Sequence, residues 1–326
     1  MRSSSCAGVV VAAAVSVTVA TGRAHADPPA APGFAVERLN PAPAGVGWIV
    51  MDDLDMQPGL GGALGIAFGY EHEPLHLGTS PDRLDVVSER TVADIAAAVT
   101  YDRWRFSLAL ETLFASGGES GASGGYAFTA PSANPADHPD AIGDPRLGVD
   151  VRLVGNAGDP FRFGVSGQLF APNGSRADYD TDGSFRGIVR ALVAGDVAPY
   201  AYAGYLGVHI RPLDDPEIPG SPQGSELVFG AAGGGEKQLP CWKAVGGPEV
   251  FGATAVRSAC GGDTTALEAL LSARLEQTAG AGRRIRVRLG VGGGLNPEFG
   301  APEWRVIAGV EMFGQAHRAP PPPPAP

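Results

Sequence analysis

The first residues in the chain that could do chemistry are two histidines around a glutamate, at residues 72–76 (His-Glu-Pro-Leu-His). This spacing binds zinc in proteases when both histidines share one helix face and the glutamate activates a metal-bound water. Pro74 would break such a helix, and residues 64–70 alternate as a strand does. In a strand, His72 and His76 stand roughly 13 Å apart, too far for one ion. We interpret them as polar residues at a strand end.

A second candidate site is the acidic run at residues 178–183, Asp-Tyr-Asp-Thr-Asp-Gly. Its spacing matches the first half of a calcium-binding loop. The bidentate glutamate of a complete EF-hand would fall at Val189, which cannot bind the ion. Two interpretations stay open: a looser calcium site formed by Asp178, Asp180 and Asp182, and a turn in which these side chains bond their own backbone.

Cys241 and Cys260 could form a disulfide in an oxidising compartment. A strand predicted over residues 242–256 would separate them by roughly 60 Å along the chain, whereas a disulfide needs Cα atoms within about 7 Å. We therefore favour free thiols. The sequence contains no recognisable catalytic constellation, and His209 would face away from a lipid substrate. No enzymatic activity is predicted.

Residues 1–26 are predicted to be an export signal. Arg2 precedes a short apolar run at residues 7–20, and residues 24–26 (Ala-His-Ala) form a cleavage site. Without Arg2 and Arg23, 22 of the 24 basic residues remain against 35 acidic ones. Such an acidic chain is not expected to bind nucleic acid.

The fold prediction depends on the strict alternation of apolar and polar residues. Leu147, Val149, Val151 and Leu153 interleave with polar residues and glycine, and the same pattern recurs along the chain. Twelve strands are predicted at 58–70, 86–100, 103–115, 145–155, 161–172, 184–197, 199–211, 224–235, 242–256, 264–278, 283–295 and 302–313. The even count is typical of an all-β protein that forms a transmembrane antiparallel up-and-down β-barrel.

The connections between these strands alternate in length, as in outer-membrane barrels. Short ones at 101–103, 156–160, 198–199 and 279–282 would be periplasmic turns, and longer ones at 116–144, 173–183 and 212–223 would be extracellular loops. Residues 265–276 also have high helix propensity, but a helix there would spoil the even count, so we predict a strand. A soluble β-sandwich would also alternate, yet its wet face would be richer in lysine than a chain whose only lysines are Lys237 and Lys243.

Four segments resemble the barrel half of OmpA-like outer-membrane proteins of the kind found in myxobacteria, and residues 142–147 also resemble the openings of transporter-like barrels. The segments are residues 34–38 (Phe-Ala-Val-Glu-Arg) with Trp48, 142–147 (Ile-Gly-Asp-Pro-Arg-Leu), 247–252 (Gly-Pro-Glu-Val-Phe-Gly) and 302–306 (Pro-Glu-Trp-Arg-Val). The resemblance implies an outer-membrane barrel over residues 57–314. Residues 315–326 are predicted to be a proline-rich C-terminal tail. Within it, residues 320–326 resemble the linker that leads longer relatives into a peptidoglycan-binding domain, and peptidoglycan binding is not inferred.

The alternation also collects charges on the inner face of the predicted barrel. The predicted charge lattice comprises Arg146, Asp150, Arg152, Arg162, Glu268, Arg274, Glu276, Arg284, Arg286, Arg288, Arg305 and Glu311. Opposite charges on neighbouring strands stabilise a sheet, and buried charges are usually paired. A near balance of signs predicts a salt-bridge lattice rather than the one-sign ring of a selective pore.

Two functions stay open from the sequence. The first is a passive porin or transporter-like channel for small solutes in the outer membrane of a Gram-negative bacterium. The second is a non-conducting structural or adhesive barrel that acts through its extracellular loops. Residues 27–56, with Trp48 and the acidic run 52–55, would either plug the lumen or lie in the periplasm. The expected partners are outer-membrane lipid and the barrel-assembly machinery, and the expected cofactors are none, with calcium open at the acidic run.

Overall fold

The structure is a computed structural model that describes residues 27–78, 83–133, 142–213, 224–258, 264–278, 283–296 and 300–315. The predicted export signal, Cys260, the predicted turn at 279–282 and residues 316–326 lie outside the described residues. Within the described ranges, no helix combines the length and apolarity that crossing a membrane requires.

Twelve antiparallel strands form a closed barrel, as predicted. They are β1 (Leu60–Leu77), β2 (Leu84–Tyr101), β3 (Trp104–Gly117), β6 (Arg146–Val154), β7 (Arg162–Phe170), β8 (Arg186–Val197), β9 (Tyr200–Ile210), β10 (Glu226–Gln238), β11 (Trp242–Ala255), β12 (Thr265–Gln277), β13 (Arg283–Gly294) and β14 (Trp304–Gln315). Two three-residue strands, β4 (Gly121–Ser123) and β5 (Tyr126–Phe128), form a separate hairpin between β3 and β6. Each barrel strand pairs with its neighbour in the chain, and β14 closes the barrel on β1. The helix-prone segment at 265–276 is a strand.

The first strand differs from its predicted range. β1 continues seven residues beyond residue 70, to Leu77. Its pairing with β2 shifts between His72 and Leu75 and again between Leu75 and Leu77, around Pro74, which has no N–H to donate. These bulges break the alternation on which the prediction depended.

The sequence also failed to predict the β4–β5 hairpin. Its two strands are joined by Gly124 and Gly125, both at positive φ. A two-residue glycine connection of this kind is a hairpin signal, but it lay inside a segment read as loop.

The two ends of the barrel differ in their connections. At one end, which we call the turn end, the strands are joined by connections of two to seven residues at 102–103, 155–161, 198–199, 239–241 and 278–282. At the other, the loop end, the connections run over 78–83, 118–145, 171–185, 211–225, 256–264 and 295–303. β1 starts and β14 finishes at the turn end.

The outer face of the barrel is apolar. Exposed side chains from every part of the wall point outward, among them Leu64, Ile95, Leu108, Leu147, Val189, Leu206, Leu271, Val287 and Val310. Exposed aromatic residues gather toward the ends, with Tyr101, Trp104, Phe106 and Tyr200 near the turn end and Phe185 and Trp304 near the loop end. An apolar band between aromatic girdles is typical of a barrel that contacts lipid.

Candidate functional site

The lumen of the barrel is occupied by the chain's own N-terminal residues. Residues 33–56, which we call the lumen segment, are largely buried and run from the loop end to the turn end. Just before them, residues 29–31 bond to Ala127 of β5. After Met56 the chain leaves the lumen and enters β1 at Leu60. The candidate functional site is therefore a lumen together with the segment that fills it.

At the loop end, the lumen segment is held by the acidic run predicted as a calcium site. Asp182 accepts a bond of 2.9 Å from the Ala35 N–H and bonds of 2.6 and 2.7 Å from Arg211. The carbonyl of Tyr179 accepts a 3.0 Å bond from the Val36 N–H, and the Tyr179 ring packs edge-on against Phe34. Burial raises the pKa of Asp182, but the opposite effect of Arg211 is larger. The pKa is therefore lowered from its ordinary value of 3.8 to about 2.

The three carboxylates of this run bind different groups. Asp180 accepts a 2.8 Å bond from Arg90 of β2, whereas Asp178 accepts a 3.1 Å bond from the Ser132 N–H. With Asp182 on Arg211, they are not arranged around one point. Calcium binding stays a prediction.

In the middle of the lumen, one buried carboxylate holds three successive backbone groups. Glu249 of β11 is fully buried, and it accepts bonds of 2.9, 2.9 and 3.2 Å from the N–H groups of Ile49, Val50 and Met51. Hydrogen bonds to an ionised acceptor are stronger than those between neutral groups. Because these donors have no strand partner, Glu249 satisfies backbone groups that would otherwise be buried unpaired.

Glycines in the wall make room for the side chains of the same stretch. A Cβ added at Gly290 would lie 2.4 Å from Ile49 Cδ1, and one at Gly230 would lie 2.5 Å from Met51 Cε. A side chain at either position would require Ile49 or Met51 of the lumen segment to shift. The wall and the segment therefore have complementary shapes.

Apolar packing accompanies these contacts. Trp48, Ile49, Val50 and Met51 belong to one buried cluster with small and apolar residues of β8 to β12 and β14. The Arg274 guanidinium stacks over the Trp48 ring at 5.5 Å from its centroid. Burial of these side chains contributes to closure in addition to the polar bonds.

Near the turn end, the segment presents acidic residues and carbonyls to arginines. Asp52 forms an ion pair with Arg105, which also donates a 2.9 Å bond to Asp150. Arg152 donates bonds of 3.0 and 2.7 Å to the carbonyls of Leu54 and Met56. These contacts hold the segment just before it enters β1.

Two acidic residues of the lumen segment have shifted pKa values of opposite sign. Burial raises the pKa of Asp52 to about 6, against the lowering effect of Arg105. Burial also raises the pKa of Glu37, but Arg305 outweighs it and lowers the pKa to about 2. Acidification should therefore act differently on the two ends of the segment.

Only part of the predicted charge lattice pairs between strands. Arg286 lies between Glu276 and Glu311, at 2.8 and 2.5 Å. Further pairs join wall residues: Arg284 to Glu276 at 3.6 Å, Arg288 to Glu311 at 3.5 Å, Arg305 to Glu268 at 2.9 Å, and Arg146 to Asp94 at 3.5 Å.

Three arginines of the lattice also bind the lumen segment. Arg162 donates a 2.9 Å bond to the Asp53 carbonyl, Arg274 lies 3.8 Å from the Asp53 carboxylate, and Arg288 donates to the carbonyls of Val46 and Trp48. The sequence missed this role, because alternation identifies inward-facing charges but not their partners.

The segment leaves two cavities beside β1 to β3. One of about 460 Å³, toward the loop end, is lined by Glu37, Asp94, Glu111, Arg146 and Asp180, among others. The other, of about 530 Å³, is lined at the turn end by residues that include Ala63, Arg105 and Arg286. Between the two cavities, Ala44 of the segment packs against alanines of the wall: Ala63, Ala96, Ala98 and Ala109.

The remaining sequence candidates lie outside the lumen site or take structural roles. His72 lies on β1 with its Nε2 3.7 Å from Glu73, and the nearby Glu73 and Glu303 both pair with Arg83. Cys241 is an exposed free thiol in the turn between β10 and β11. His209 is buried against Glu226 at 3.2 Å.

Comparisons with known proteins give a likeness of fold alone. No known family's sequence profile matches the chain, and no curated protein matches it. The COG4313 outer membrane channel from Pseudomonas putida F1 superposes with a TM-score of 0.52 at 13% identity, covering 80% of this chain and 97% of the channel. The NanC porin superposes with a TM-score of 0.45 at 6% identity, covering 78% of this chain and all of the porin. The OmpA-like resemblance stays a prediction, and the chain has the fold of an outer-membrane β-barrel channel.

Proposed function

We propose that the protein is a channel of the outer membrane that passes small hydrophilic solutes and is closed at rest by its lumen segment. The main support is that the segment fills the lumen and is held there by noncovalent contacts, which can break and re-form. Chief among them are the three hydrogen bonds from its backbone to Glu249. The cavities on either side of the alanine cluster would join into a continuous path if the segment moved.

The outer face supports the membrane location. An apolar band between aromatic girdles suits a bilayer, and short turns face the periplasm in bacterial barrels. The turn end would then be periplasmic and the loop end extracellular. Export by cleavage after residue 26, insertion by the barrel-assembly machinery and contact with outer-membrane lipid belong to the same proposal.

The filled lumen also favours a second function, a non-conducting envelope barrel that acts through its extracellular loops. The two functions differ in one property, which is whether the lumen segment can leave its place. In a channel, weakening the segment's bonds opens a pore. In a structural barrel, the same change lowers stability without producing conductance.

The test is the conductance of the refolded chain in planar bilayers, with and without Glu249→Ala. Removing the carboxylate leaves three buried N–H groups unpaired, which we expect to destabilise the closed state by about 3 kcal/mol. The open fraction should rise roughly a hundredfold. Glu236→Gln, at a turn-end carboxylate paired with Lys243, is the control and should leave the open fraction at the wild-type value.

Heat-modifiable gel mobility establishes that each variant is a folded barrel before its conductance is compared. If folded Glu249→Ala protein conducts no more than a bare bilayer, the channel proposal is wrong and the structural barrel is favoured. If wild-type protein already conducts as much as the variant, the lumen segment does not close the lumen.

A further inference from the structure

The lumen segment is attached to the barrel in different ways at its two ends. At the turn end it continues through residues 57–59 into β1, which belongs to the closed wall. Gly59 also exchanges two hydrogen bonds with Asp102 of the turn between β2 and β3. Asp102 Oδ1 accepts a bond of 2.8 Å from the Gly59 N–H, and the Gly59 carbonyl accepts one of 3.1 Å from the Asp102 N–H. This end therefore stays at the turn end while the barrel is folded.

At the loop end, the chain is held by noncovalent contacts of residues 29–36, which we call the latch. The Ala31 N–H donates a 2.8 Å bond to the Ala127 carbonyl, and the Ala127 N–H donates a 2.9 Å bond to the Pro29 carbonyl. The latch thus runs parallel to β5 and extends the small β4–β5 sheet by a short third strand.

The connection between β7 and β8 holds the next part of the latch. Arg176 donates a 2.5 Å bond to the Gly33 carbonyl, and the Phe34 ring lies edge-on to Tyr179 with centroids 6.2 Å apart. The Tyr179 hydroxyl donates a 3.1 Å bond to the Thr129 carbonyl, just after β5. The two loop-end connections are therefore joined to each other where they hold the latch.

The topology of the chain fixes the direction in which the segment can clear the lumen. Because residue 60 enters the wall at the turn end, a segment that moved toward the loop end would still have to cross the lumen. If the latch releases instead, residues 33–56 can leave at the turn end while Gly59 stays in place. Only this second movement joins the cavities on either side of the alanine cluster.

The part of the chain that would have to pass through the whole lumen is narrow. Residues 28–33 are Pro-Pro-Ala-Ala-Pro-Gly, with no charge and no side chain larger than proline. A charged side chain would lose hydration on its way past the buried wall, at a cost in free energy. The composition of this stretch therefore suits a passage through the barrel.

From this topology we propose that the latch is displayed on the outside of the cell, and that the channel opens when the latch releases and the segment moves toward the periplasm. The inference rests on the proposed function, in which the loop end is extracellular, and it adds the place at which opening is regulated. A segment that swings about one fixed end is a hinge motion. Residues 57–59 would be the hinge, with Gly59 already at a φ of 90°.

Display of the latch is tested by labelling whole cells with a membrane-impermeant maleimide. The full chain carries Ala30→Cys, at an exposed position, with serine at 6, 241 and 260, so that residue 30 bears its only thiol. We expect labelling of intact cells. The matched control keeps Ala30 and Cys241, with serine at 6 and 260. Its exposed thiol lies at the turn end and should be labelled only after permeabilisation.

The direction of opening is tested by attaching a bulky polyethylene glycol maleimide to the latch before the protein enters a planar bilayer. The refolded chain from Asp27 carries Glu249→Ala and Ala30→Cys, with serine at 241 and 260. Because the polymer cannot pass through the lumen, we expect it to lower the open fraction at least about tenfold. Glu119→Cys in the same background, exposed in the connection that contains β5, is the matched control. The polymer at residue 119 should leave the open fraction unchanged.

Each part of the proposal has its own contradicting result. Labelling of residue 30 only after permeabilisation, or labelling of Cys241 on intact cells, would overturn the display of the latch. Equal open fractions with the polymer at residue 30 and at residue 119 would overturn the movement toward the periplasm. A Glu249→Ala barrel that does not conduct even without the polymer would overturn the channel proposal and this movement with it, whereas the labelling would still decide where the latch lies.

Discussion

The lumen segment meets two different walls. On the binding wall, formed by β10 to β13, Glu249 bonds three backbone groups, and the missing side chain of Gly290 leaves room for Ile49. On the alanine wall, formed by β1 to β3, the middle of the segment touches short side chains, and cavities lie above and below. The charged contact on this wall, Arg105 with Asp52, lies near the turn end. The difference indicates that one wall holds the segment while the other leaves space for a path.

After Glu249→Ala, the largest effect is expected from removing the shape match on the binding wall. In Gly290→Val the new side chain overlaps Ile49, because even its Cβ would lie 2.4 Å from Ile49 Cδ1. Overpacking of this kind costs about 2 kcal/mol, so the open fraction in planar bilayers should rise roughly thirtyfold. Gly233→Val, at a β10 position where an added Cβ meets nothing within 4 Å, is the matched control. Equal effects of both substitutions would mean that general loss of stability, not the shape match, opens the lumen.

An intermediate effect is expected from pH. Acidification should first lower the open fraction and then, at lower pH, raise it. Asp52 has a pKa of about 6 in the closed state, above its ordinary value of 3.8, so the closed state binds the proton more tightly. Lowering the pH from about 7 to about 5 should then reduce the open fraction about tenfold. Glu37 has a pKa of about 2 instead of 4.5, so its contribution is complete above pH 4.5 and is lost as the pH falls toward 2.

Bilayer recordings across this range should therefore show the smallest open fraction near pH 4 and a rise below about pH 3.5. Asp52→Asn should remove most of the decrease in open fraction between pH 7 and pH 5. Glu37→Gln should remove most of the rise in open fraction at the lowest pH. An open fraction that rises steadily from pH 7 downward would contradict the assignment to Asp52.

The smallest effect is expected on the alanine wall. Ala98→Leu, made in the Glu249→Ala background, puts a larger side chain between the two cavities. We expect the unit conductance to fall by less than about twofold, since the larger side chain narrows the path beside the alanine wall. Val99→Leu, at an exposed outward position, is the control. A change in open fraction instead of unit conductance would move the path away from this wall.

The strands could be predicted from the sequence because alternation is a local property. Residues 265–276 became a strand despite their helix propensity, because each face of β12 meets either the lumen or the outer surface. The end of β1 could not be predicted, since the bulges around Pro74 interrupt the alternation.

The closure of the lumen could not be derived in the same way. Glu249 and Ile49 are separated by 200 residues, and the lumen segment has no periodicity that would reveal its location. Gly230 and Gly290 gave a partial signal. Both occupy inward-facing positions, where a barrel with an open lumen would have room for a side chain and would not require glycine. Alternation gave the inward direction of Arg152 and Arg288, but their partners are carbonyls of the segment.

The most direct test of closure by the lumen segment is a reversible crosslink between the segment and the barrel. A Cβ at Gly45 would lie 3.2 Å from the Ala63 Cβ, close to the separation in a disulfide. The chain from Asp27 with Gly45→Cys and Ala63→Cys, with serine at 241 and 260, is combined with Glu249→Ala and recorded before and after reduction. We expect the oxidised protein to stay closed and the reduced protein to open as Glu249→Ala alone does. Gly45 has a φ of +89°, so a disulfide that fails to form would report backbone strain at this position. Equal conductance of the oxidised and reduced forms of the crosslinked, folded barrel would contradict closure by the lumen segment.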